Sequence, residues 1–254
     1  MYDAIETGLS KEHLIEVLKA VDEPIVLMGG WAVFCHVNEG YERTTGRLYV
    51  GSRDIDLGFH IPHLDTESSF DVSFQKLVDD LGFRPITSSR LLKEIDRETG
   101  DVLSPEKAKT MQMYEIFQMY VDLIVDSIPV GFKNKYSFVP IDEPLLQNIF
   151  QDPQKRTEQK LGGRPVWLPA PNVLISMKMK SYPQRDKEHK RLKDISDIVA
   201  LFLFCEATPS ELRSEDIARF RNALDRREFK LVSSFTGLSP DIIEGAIQSV
   251  SRMQ

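Results

Sequence analysis

Two aspartates, Asp54 and Asp56, stand two positions apart in the segment RDIDLGF, where polar and apolar residues alternate. The alternation predicts a β-strand over residues 53–59 with one buried face. Side chains two apart on a strand point the same way, so Asp54 and Asp56 are expected to project side by side. Carboxylates about 6–7 Å apart along a strand repel each other unless a cation lies between them. The pair therefore indicates a site for Mg²⁺ or Mn²⁺.

A third carboxylate lies in a later apolar segment. Residues 114–125 are rich in β-branched and aromatic side chains, which predicts a central strand that contains Asp122. A carboxylate inside such a strand needs a partner or a metal ion. Asp126 shares the face of Asp122, but its position at the strand end predicts a turn residue. Without Asp122, the pair in RDIDLGF is equally typical of two exposed aspartates on a strand edge.

Two further features of the sequence, a glycine turn and a basic segment, favour phosphate binding. Gly29-Gly30 ends the apolar segment PIVLMGG and precedes WAVFCHV, which predicts a turn between a short buried strand and a helix. Glycines at a helix start allow backbone N–H groups to approach phosphates, although a simple tight turn is the alternative. Residues 178–193 hold seven Lys or Arg against two acidic residues. This excess suits phosphate binding, and a solvated helix face is the alternative.

The remaining segments supply the elements that position these residues. Helical periodicity covers residues 10–21, 68–81, 171–181, 187–206, 210–226 and 240–252. Residues 135–141 are predicted to be a strand, residues 162–171 an extended segment, residues 38–47 a loop, and residues 86–112 a charged surface excursion. We therefore expect an α/β (α+β) fold, with a small mixed-sheet domain over residues 1–165 and a helical domain over residues 166–254.

Composition sets the broad class. The chain has 254 residues, 41% of them hydrophobic, and a net charge of −7. This acidity argues against a general nucleic-acid coat protein. No long apolar run predicts a membrane span and the N-terminus does not resemble a signal peptide, so we expect a cytoplasmic protein without a membrane partner. Cys35 and Cys205 lie in apolar segments and are expected to be buried, reduced thiols.

The order of these motifs resembles the polymerase-β-type nucleotidyltransferase superfamily: a Gly-Gly turn, a strand with Asp-x-Asp and a single Asp on a later strand. Within the superfamily, the segment PAPNVLISMKMKSYPQRDKEHKRLKDISDIVAL is similar to the AbiEii-like branch. That branch has a lysine-bearing helix, then an Arg and a helix of the form K-D-x-x-D-[IL]. The resemblance covers about residues 25–60 and 115–205.

The resemblance implies a role for each matching residue. Asp54, Asp56 and Asp122 would hold Mg²⁺ or Mn²⁺ and act in catalysis. Lys178 would contact phosphate and Asp194 would face the site. Gly29 and Gly30 would bind the nucleotide, together with Arg185. Because the spacing of 24 positions between Gly30 and Asp54 is longer than the superfamily pattern, Ser52 and Arg53 are expected to share the phosphate contacts.

The helical residues have structural alternatives. Lys178 is also typical of a solvated helix position, and Asp194 of a helix cap or a salt-bridge partner of Lys190, one turn away. Asp197 is interpreted as structural.

The expected activity is transfer of a nucleoside monophosphate from an NTP to an RNA (tRNA), protein or small-molecule acceptor. The alternative is a non-catalytic nucleotide-binding or toxin–antitoxin-type component with the same fold. A domain whose aspartates are incidental is the third interpretation.

Overall fold

The computed structural model describes residues 4–22, 24–61, 69–86, 89–210 and 212–252, and for residues 4–6 the backbone alone. The chain forms two compact units. The sheet unit contains the segment up to Met28 and Gly51–Leu168, and the helical unit contains Gly29–Val50 and the chain from Pro169 onward. The predicted division after residue 165 lies close to the last change of unit, between Leu168 and Pro169, but it placed residues 29–50 in the first domain.

Eight described strands form one mixed sheet in the order β3-β4-β5-β2-β1-β8-β7, with β6 paired to β5. Their bounds are β1 Val26–Leu27, β2 Asp54–Phe59, β3 Arg84–Pro85, β4 Arg90–Asp96, β5 Ile116–Val125, β6 Ile141–Asp142, β7 Arg156–Leu161 and β8 Arg164–Pro169. Strand β5 is central, since β2 runs parallel to it on one side and β4 antiparallel on the other. The mixed α/β class expected from the sequence is thus observed.

One face of the central strands is apolar. Ile55 and Leu57 on β2 and Val121 on β5 are fully buried. These residues lie in register across the β2–β5 pair, so their side chains share one face. The prediction that the apolar residues of RDIDLGF enter the core is confirmed, and the aspartates of the same strand belong to the opposite face.

The helices of the sheet unit are α1 Ala4–Ala20, α3 Ser69–Gln75, α4 Pro105–Thr110, α5 Phe132–Tyr136 and α6 Leu145–Gln151. Helix α3 continues as a π-helical turn over Lys76–Asp80. This agrees with the helix predicted over residues 68–81, of which residue 68 lies outside the described residues. The strand predicted over residues 135–141 is wrong for most of its length. Its first two residues belong to α5, where Phe132 is buried in an aromatic cluster with Tyr136 and Phe138, and only Ile141 lies in a strand.

The surface excursion predicted over residues 86–112 is wrong for residues 90–96, whereas residues 97–112 are mostly exposed; residues 87 and 88 lie outside the described residues. Strand β4 lies within this stretch and pairs along its length with β5, and Leu91 and Ile95 are buried in the core. The charges that suggested a surface position have partners elsewhere in the unit: Lys93 lies 3.6 Å from Glu16, and Glu94 pairs with Arg84. Glu16 lies 77 positions before Lys93, so local periodicity does not reveal that this lysine belongs to a buried strand.

The helical unit contains α2 Gly29–Thr45, α7 Pro171–Ser181, α8 Glu188–Cys205, α9 Ser214–Ala223, α10 Arg226–Thr236 and α11 Pro240–Arg252. The loop predicted over residues 38–47 is mostly wrong, since α2 continues to Thr45. Tyr41 is buried and its hydroxyl donates to the carbonyl of Thr236 at 2.5 Å, and Gly40 leaves room for the ring of Phe204. Among the described helices, none is both long enough and apolar enough to cross a bilayer.

Candidate functional site

The parallel pairing of β2 with β5 brings three aspartates to one face of the sheet. Asp56 lies directly opposite Asp122, and Asp54 lies opposite Tyr120. Residues in register on neighbouring strands, and residues two apart on one strand, point to the same side. Asp54, Asp56 and Asp122 therefore share the polar face, as the sequence predicted. We call these three side chains the carboxylate face.

An arginine joins the carboxylate face from the other side of β5. Arg90 begins β4 and lies opposite Asp122 in the antiparallel register. Its Nε donates to Oδ1 of Asp122 at 2.7 Å and its Nη2 donates to Oδ2 at 2.5 Å, which is a bidentate ion pair. The same Nη2 lies 3.5 Å from Oδ2 of Asp54. One guanidinium thus balances charge on two of the three aspartates.

The surroundings hold Arg90 in place. Its guanidinium lies 4.7 Å from the centroid of the Tyr120 ring, a cation–π arrangement. The hydroxyl of Tyr120 donates to Gln118, and the amide of Gln118 donates to Glu94. The hydrogen bonds from Arg90 to Asp122, together with the nearby aspartate charges, raise the pKa of Arg90. The arginine is therefore a charged partner of this face, paired with Asp122 in this structure.

The carboxylate face fits a divalent cation in its donor chemistry and in its strand register, with one obstacle. Carboxylate oxygens are hard ligands that suit Mg²⁺ or Mn²⁺. However, both oxygens of Asp122 accept hydrogen bonds from Arg90. Within the described residues, no group of three or more His, Cys, Asp or Glu side chains is arranged to hold a metal ion. A cation at Asp122 would therefore share this carboxylate with Arg90 or displace it.

Ser52 and Arg53, which were expected to share the phosphate contacts, lie just before β2 and have different surroundings. The hydroxyl of Ser10, within α1, donates to the carbonyl of Ser52 at 2.6 Å, which anchors the start of β2. The guanidinium of Arg53 lies 5.5 Å from the centroid of the Phe117 ring. Phe117 belongs to the apolar side of β5, an odd number of residues from Asp122. Arg53 is therefore directed away from the three aspartates.

A histidine and an aspartate form a second polar pair in the sheet unit. His60 Nδ1 lies 2.5 Å from Oδ2 of Asp126, which is almost fully buried, while the histidine is partly exposed. Asp126 also accepts from the backbone N–H of Ser127 at 3.0 Å, so the turn interpretation is incomplete. The sequence alone does not predict this pair, because the two residues are 66 positions apart.

In the helical unit, Gly29 and Gly30 begin α2, as the sequence predicted. Gly29 has φ +63°, in the left-handed region that favours glycine, and Gly30 is buried. Helix α2 has 17 residues, and its first N–H groups have no partner within the helix. The geometry suits a phosphate at the helix start.

Lys178 and Asp194 lie together in the helical unit. Lys178 Nζ is 3.0 Å from Oδ1 of Asp194 and 2.7 Å from Oδ2 of Asp197. Arg185 Nε donates to Oδ2 of Asp194 at 2.8 Å, and Ser181 donates to the same oxygen at 3.2 Å. Lys178 and Arg185 are thus ion-pair partners of Asp194; the alternative pairing with Lys190 stays a prediction. Lys178 is itself buried, which rules out a solvated position.

Asp197 is the most buried charge of this network. Its Oδ1 accepts from Tyr49 at 2.7 Å and also pairs with Lys193. Burial alone would raise the pKa of Asp197, but Lys178 and Lys193 lower it below its ordinary value. Burial lowers the pKa of Lys178, and the charges of Asp194 and Asp197 more than reverse this shift. The network is a compensated set of buried ion pairs, consistent with a structural role for Asp197.

Comparisons with known proteins assign no role to the residues of the candidate site. No protein-family model matches the chain, and no curated protein matches it. Among solved structures, the chain is similar to the antigenic nucleotidyltransferase-like protein of Paracoccidioides brasiliensis, with 16% sequence identity and a TM-score of 0.42. The match covers 96% of this chain and 92% of that one. At this identity and TM-score the similarity does not establish a shared activity.

Proposed function

We propose that the chain is a nucleotidyltransferase that moves a nucleoside monophosphate from an NTP to an acceptor. One observation carries the proposal: β2 and β5 pair in parallel with Asp56 directly opposite Asp122, and Asp54 lies on the same face. Three carboxylates on one side of two paired central strands are costly unless they bind cations or strong donors. Nucleotidyl transfer is a reaction that uses such a face.

The proposed reaction exchanges one phosphorus–oxygen bond for another and involves no oxidation or reduction. An oxygen of the acceptor forms a bond to the α-phosphorus of the NTP, and the bond from that phosphorus to the oxygen bridging the β-phosphate breaks. Pyrophosphate leaves, and the proton of the acceptor passes to a carboxylate or to water. We assign the base to the carboxylate face, where Asp122 becomes available once Arg90 releases it.

Magnesium or manganese is the proposed cofactor, held by Asp54, Asp56 and Asp122. When bound, such ions polarise phosphoryl oxygens and neutralise the charge that develops on them. The chain's own contribution is to fix the three ligands on two paired strands of a rigid sheet and to provide Arg90. A guanidinium freed from Asp122 is well suited to a phosphate oxygen of the nucleotide, because Arg binds both groups in bidentate fashion.

Residues of the helical unit have proposed phosphate roles that rest on local geometry. Gly29 and Gly30 present the start of a long helix to an anion. Arg185, whose side chain is partly exposed, combines a contact to Asp194 with access to solvent. Lys178 is proposed to reach phosphate only through rearrangement of its two ion pairs. RNA, including tRNA, protein and a small molecule are the proposed acceptor classes.

The proposal is tested by measuring the transfer of radioactive label from an NTP to an acceptor. The protein is incubated with Mg²⁺, each α-³²P-labelled NTP in turn, and total cellular RNA or protein. The expected result is acceptor-bound label with one or more nucleotides, lost by at least about 100-fold in Asp56→Asn, the size of effect that follows loss of one preorganised electrostatic group. Asp80→Asn, an exposed change in the π-helical turn, is the matched control and should leave transfer intact.

A second function is favoured by a specific observation, the bidentate pair between Arg90 and Asp122. A face whose charge is already balanced by an internal arginine is also what a non-catalytic nucleotide-binding or toxin–antitoxin-type component would have. Thermal shift with an NTP separates the two. Stabilisation that needs Mg²⁺ and disappears in Asp56→Asn supports the enzyme. Stabilisation by NTP in EDTA, unchanged in Asp56→Asn, supports the binding protein.

A further inference from the structure

Strand β7 ends the sheet on the side away from β3. Among the described strands it pairs with β8 alone, so its outer edge has no strand partner in that part of the chain. It spans six residues, Arg156–Leu161, and contains no proline. An edge strand of this kind offers backbone N–H and C=O groups to another strand. We call this side of the sheet the β7 edge.

The side chains of β7 alternate in charge along one face. Arg156, Glu158 and Lys160 share that face by the strand period of two, and Glu158 and Lys160 are exposed. It is the face of Trp167, whose indole Nε1 donates to the Glu158 carboxylate at 3.3 Å. Charged side chains on an edge strand disfavour pairing with most other strands. A strand in which the signs alternate can nevertheless match a second copy of itself.

The order of the charges favours one register for two copies of β7. A parallel pair in register would place every charge opposite the same charge. An antiparallel pair centred on Gln159 places Glu158 of each copy opposite Lys160 of the other, and Thr157 opposite Leu161. Opposite charges directly across a strand pair stabilise it, and like charges destabilise it. The Gln159-centred register therefore gains two ion pairs.

Two other antiparallel registers are less favourable. A pair centred on Glu158 would place Arg156 opposite Lys160, which has the same charge. A pair centred on Thr157 would place Arg156 opposite Glu158. However, the Arg156 guanidinium already donates to two backbone carbonyls of α6, at 2.7 and 2.8 Å, and lies 3.7 Å from the centroid of an indole ring. Lys160 is exposed, so the Gln159-centred register uses the more accessible cation.

We propose that two copies of this chain pair through their β7 edges as a symmetric homodimer. The strands run antiparallel with Gln159 at the two-fold axis, and one sheet continues through both copies. Such an interface is closed and uses the same surface on each subunit. Main-chain hydrogen bonds provide its affinity. Strand β2, which contains Asp54 and Asp56, is three places from β7 in the sheet order, so the proposal is independent of nucleotidyl transfer.

Sedimentation velocity of the full chain tests the proposal. We expect a concentration-dependent dimer that is largely formed at about 100 μM, as for a micromolar Kd. Glu158→Lys and Lys160→Glu should each weaken dimerisation by about tenfold or more, because each places like charges across the strand pair. An equimolar mixture of the two variants should form a heterodimer, and Glu158→Lys/Lys160→Glu should dimerise like the wild type, since both restore opposite charges.

Two comparisons separate this interface from other effects of the substitutions. Lys109→Glu makes the same charge change at an exposed position of α4 and should dimerise like the wild type. The hydrogen bond between Glu158 and Trp167 is lost in Glu158→Lys and in the double variant alike. Recovery of the dimer in the double variant therefore reports the charge pair and not this bond.

A cysteine at the two-fold axis checks the register. In a chain with Cys35→Ser and Cys205→Ser, Gln159→Cys should form an intermolecular disulfide, because Cα atoms directly opposite each other in antiparallel strands are about 4.5–5.5 Å apart. Thr157→Cys should not, since its two copies would lie four residues apart along the strand, about 13 Å. A wild type that is monomeric at about 100 μM, dimerisation unaffected by the charge reversals, or crosslinking by Thr157→Cys in place of Gln159→Cys would overturn the proposal.

Discussion

Arg90 and Asp122 face each other across antiparallel strands and are joined by two hydrogen bonds of 2.7 and 2.5 Å. The Asp122 side chain is 8% exposed and that of Arg90 is 28% exposed, so the pair is largely shielded from water. Both oxygens of Asp122 accept hydrogen bonds from the arginine. In the proposed nucleotidyltransferase, release of this pair would free Asp122 for a metal ion and Arg90 for the nucleotide.

The coupling between these residues is measurable as stability. Arg90→Gln should lower the free energy of unfolding by about 1–3 kcal/mol, because the Asp122 charge is left without its partner in a shielded position. The double variant Arg90→Gln/Asp122→Asn should recover part of the loss. Urea unfolding of the four proteins gives the coupling energy. Strictly additive effects would show that the pair contributes nothing to the fold.

The buried network around Asp197 predicts a pH dependence. Its pKa in the folded chain is below the ordinary value of 3.8, so its stabilising contribution is complete above pH 3.8 and is lost as pH falls through the folded pKa. At pH 7, Asp197→Asn should cost about 3–5 kcal/mol, since two buried lysines lose a charged partner. Unfolding measured from pH 7 to pH 2 should show the two proteins converging in acid. A constant difference over this range would contradict the assignment.

Tyr49 supports the same carboxylate. Its hydroxyl donates to Asp197 at 2.7 Å and the residue is 2% exposed. Tyr49→Phe should therefore destabilise the protein by about 1–3 kcal/mol, because a buried hydrogen bond to a charged group is removed. Tyr114, which is 73% exposed, provides the control: Tyr114→Phe should change the melting temperature by very little. Equal effects of the two substitutions would speak against the buried bond.

Cys205 should react slowly with thiol reagents. Burial raises the pKa of its thiol to about 11, and the reactive species is the thiolate. In a Cys35→Ser background, the rate of modification at pH 8 should be far below that of the urea-unfolded chain and should rise about tenfold for each pH unit toward 11. Modification at pH 8 as fast as in the unfolded chain would place the thiol in an exposed, unperturbed environment.

The strands and helices with regular periodicity were predictable from the sequence. RDIDLGF alternates strictly, and the observed strand Asp54–Phe59 has Ile55 and Leu57 in the core. Helix Pro171–Ser181 begins at a proline and follows the predicted bounds. These elements contain enough local information, because one face of each is buried and the pattern of apolar residues records it.

Elements stabilised by distant partners were not predictable in the same way. The strand Arg90–Asp96 has buried Lys93 and Glu94, whose partners lie up to 77 positions away along the chain. Helix α2 continues through Asn38 and Glu39 because Tyr41 and Gly40 pack against the C-terminal helices. Nothing near these segments in the sequence records those contacts.

The same distinction applies to the candidate site: the sequence predicts some of its residues and not others. The three aspartates were identifiable, since their spacing on two predicted strands places them on one face. Arg90 was not, because its strand was not recognised, and the link from Lys178 to Asp197 joins two helices whose packing the sequence leaves open. Only strand register and helix packing, which the structure supplies, reveal the counterions of these carboxylates.

The most direct test of the carboxylate face is Mn²⁺ binding followed by electron paramagnetic resonance, with a non-hydrolysable NTP analogue present. The prediction is saturable binding by the wild type, tighter binding by Arg90→Gln, which no longer competes for Asp122, and binding weakened by at least about tenfold in Asp56→Asn, as expected when a ligand or its support is lost. Wild-type protein that binds no Mn²⁺, or Asp56→Asn that binds it equally well, would contradict the account.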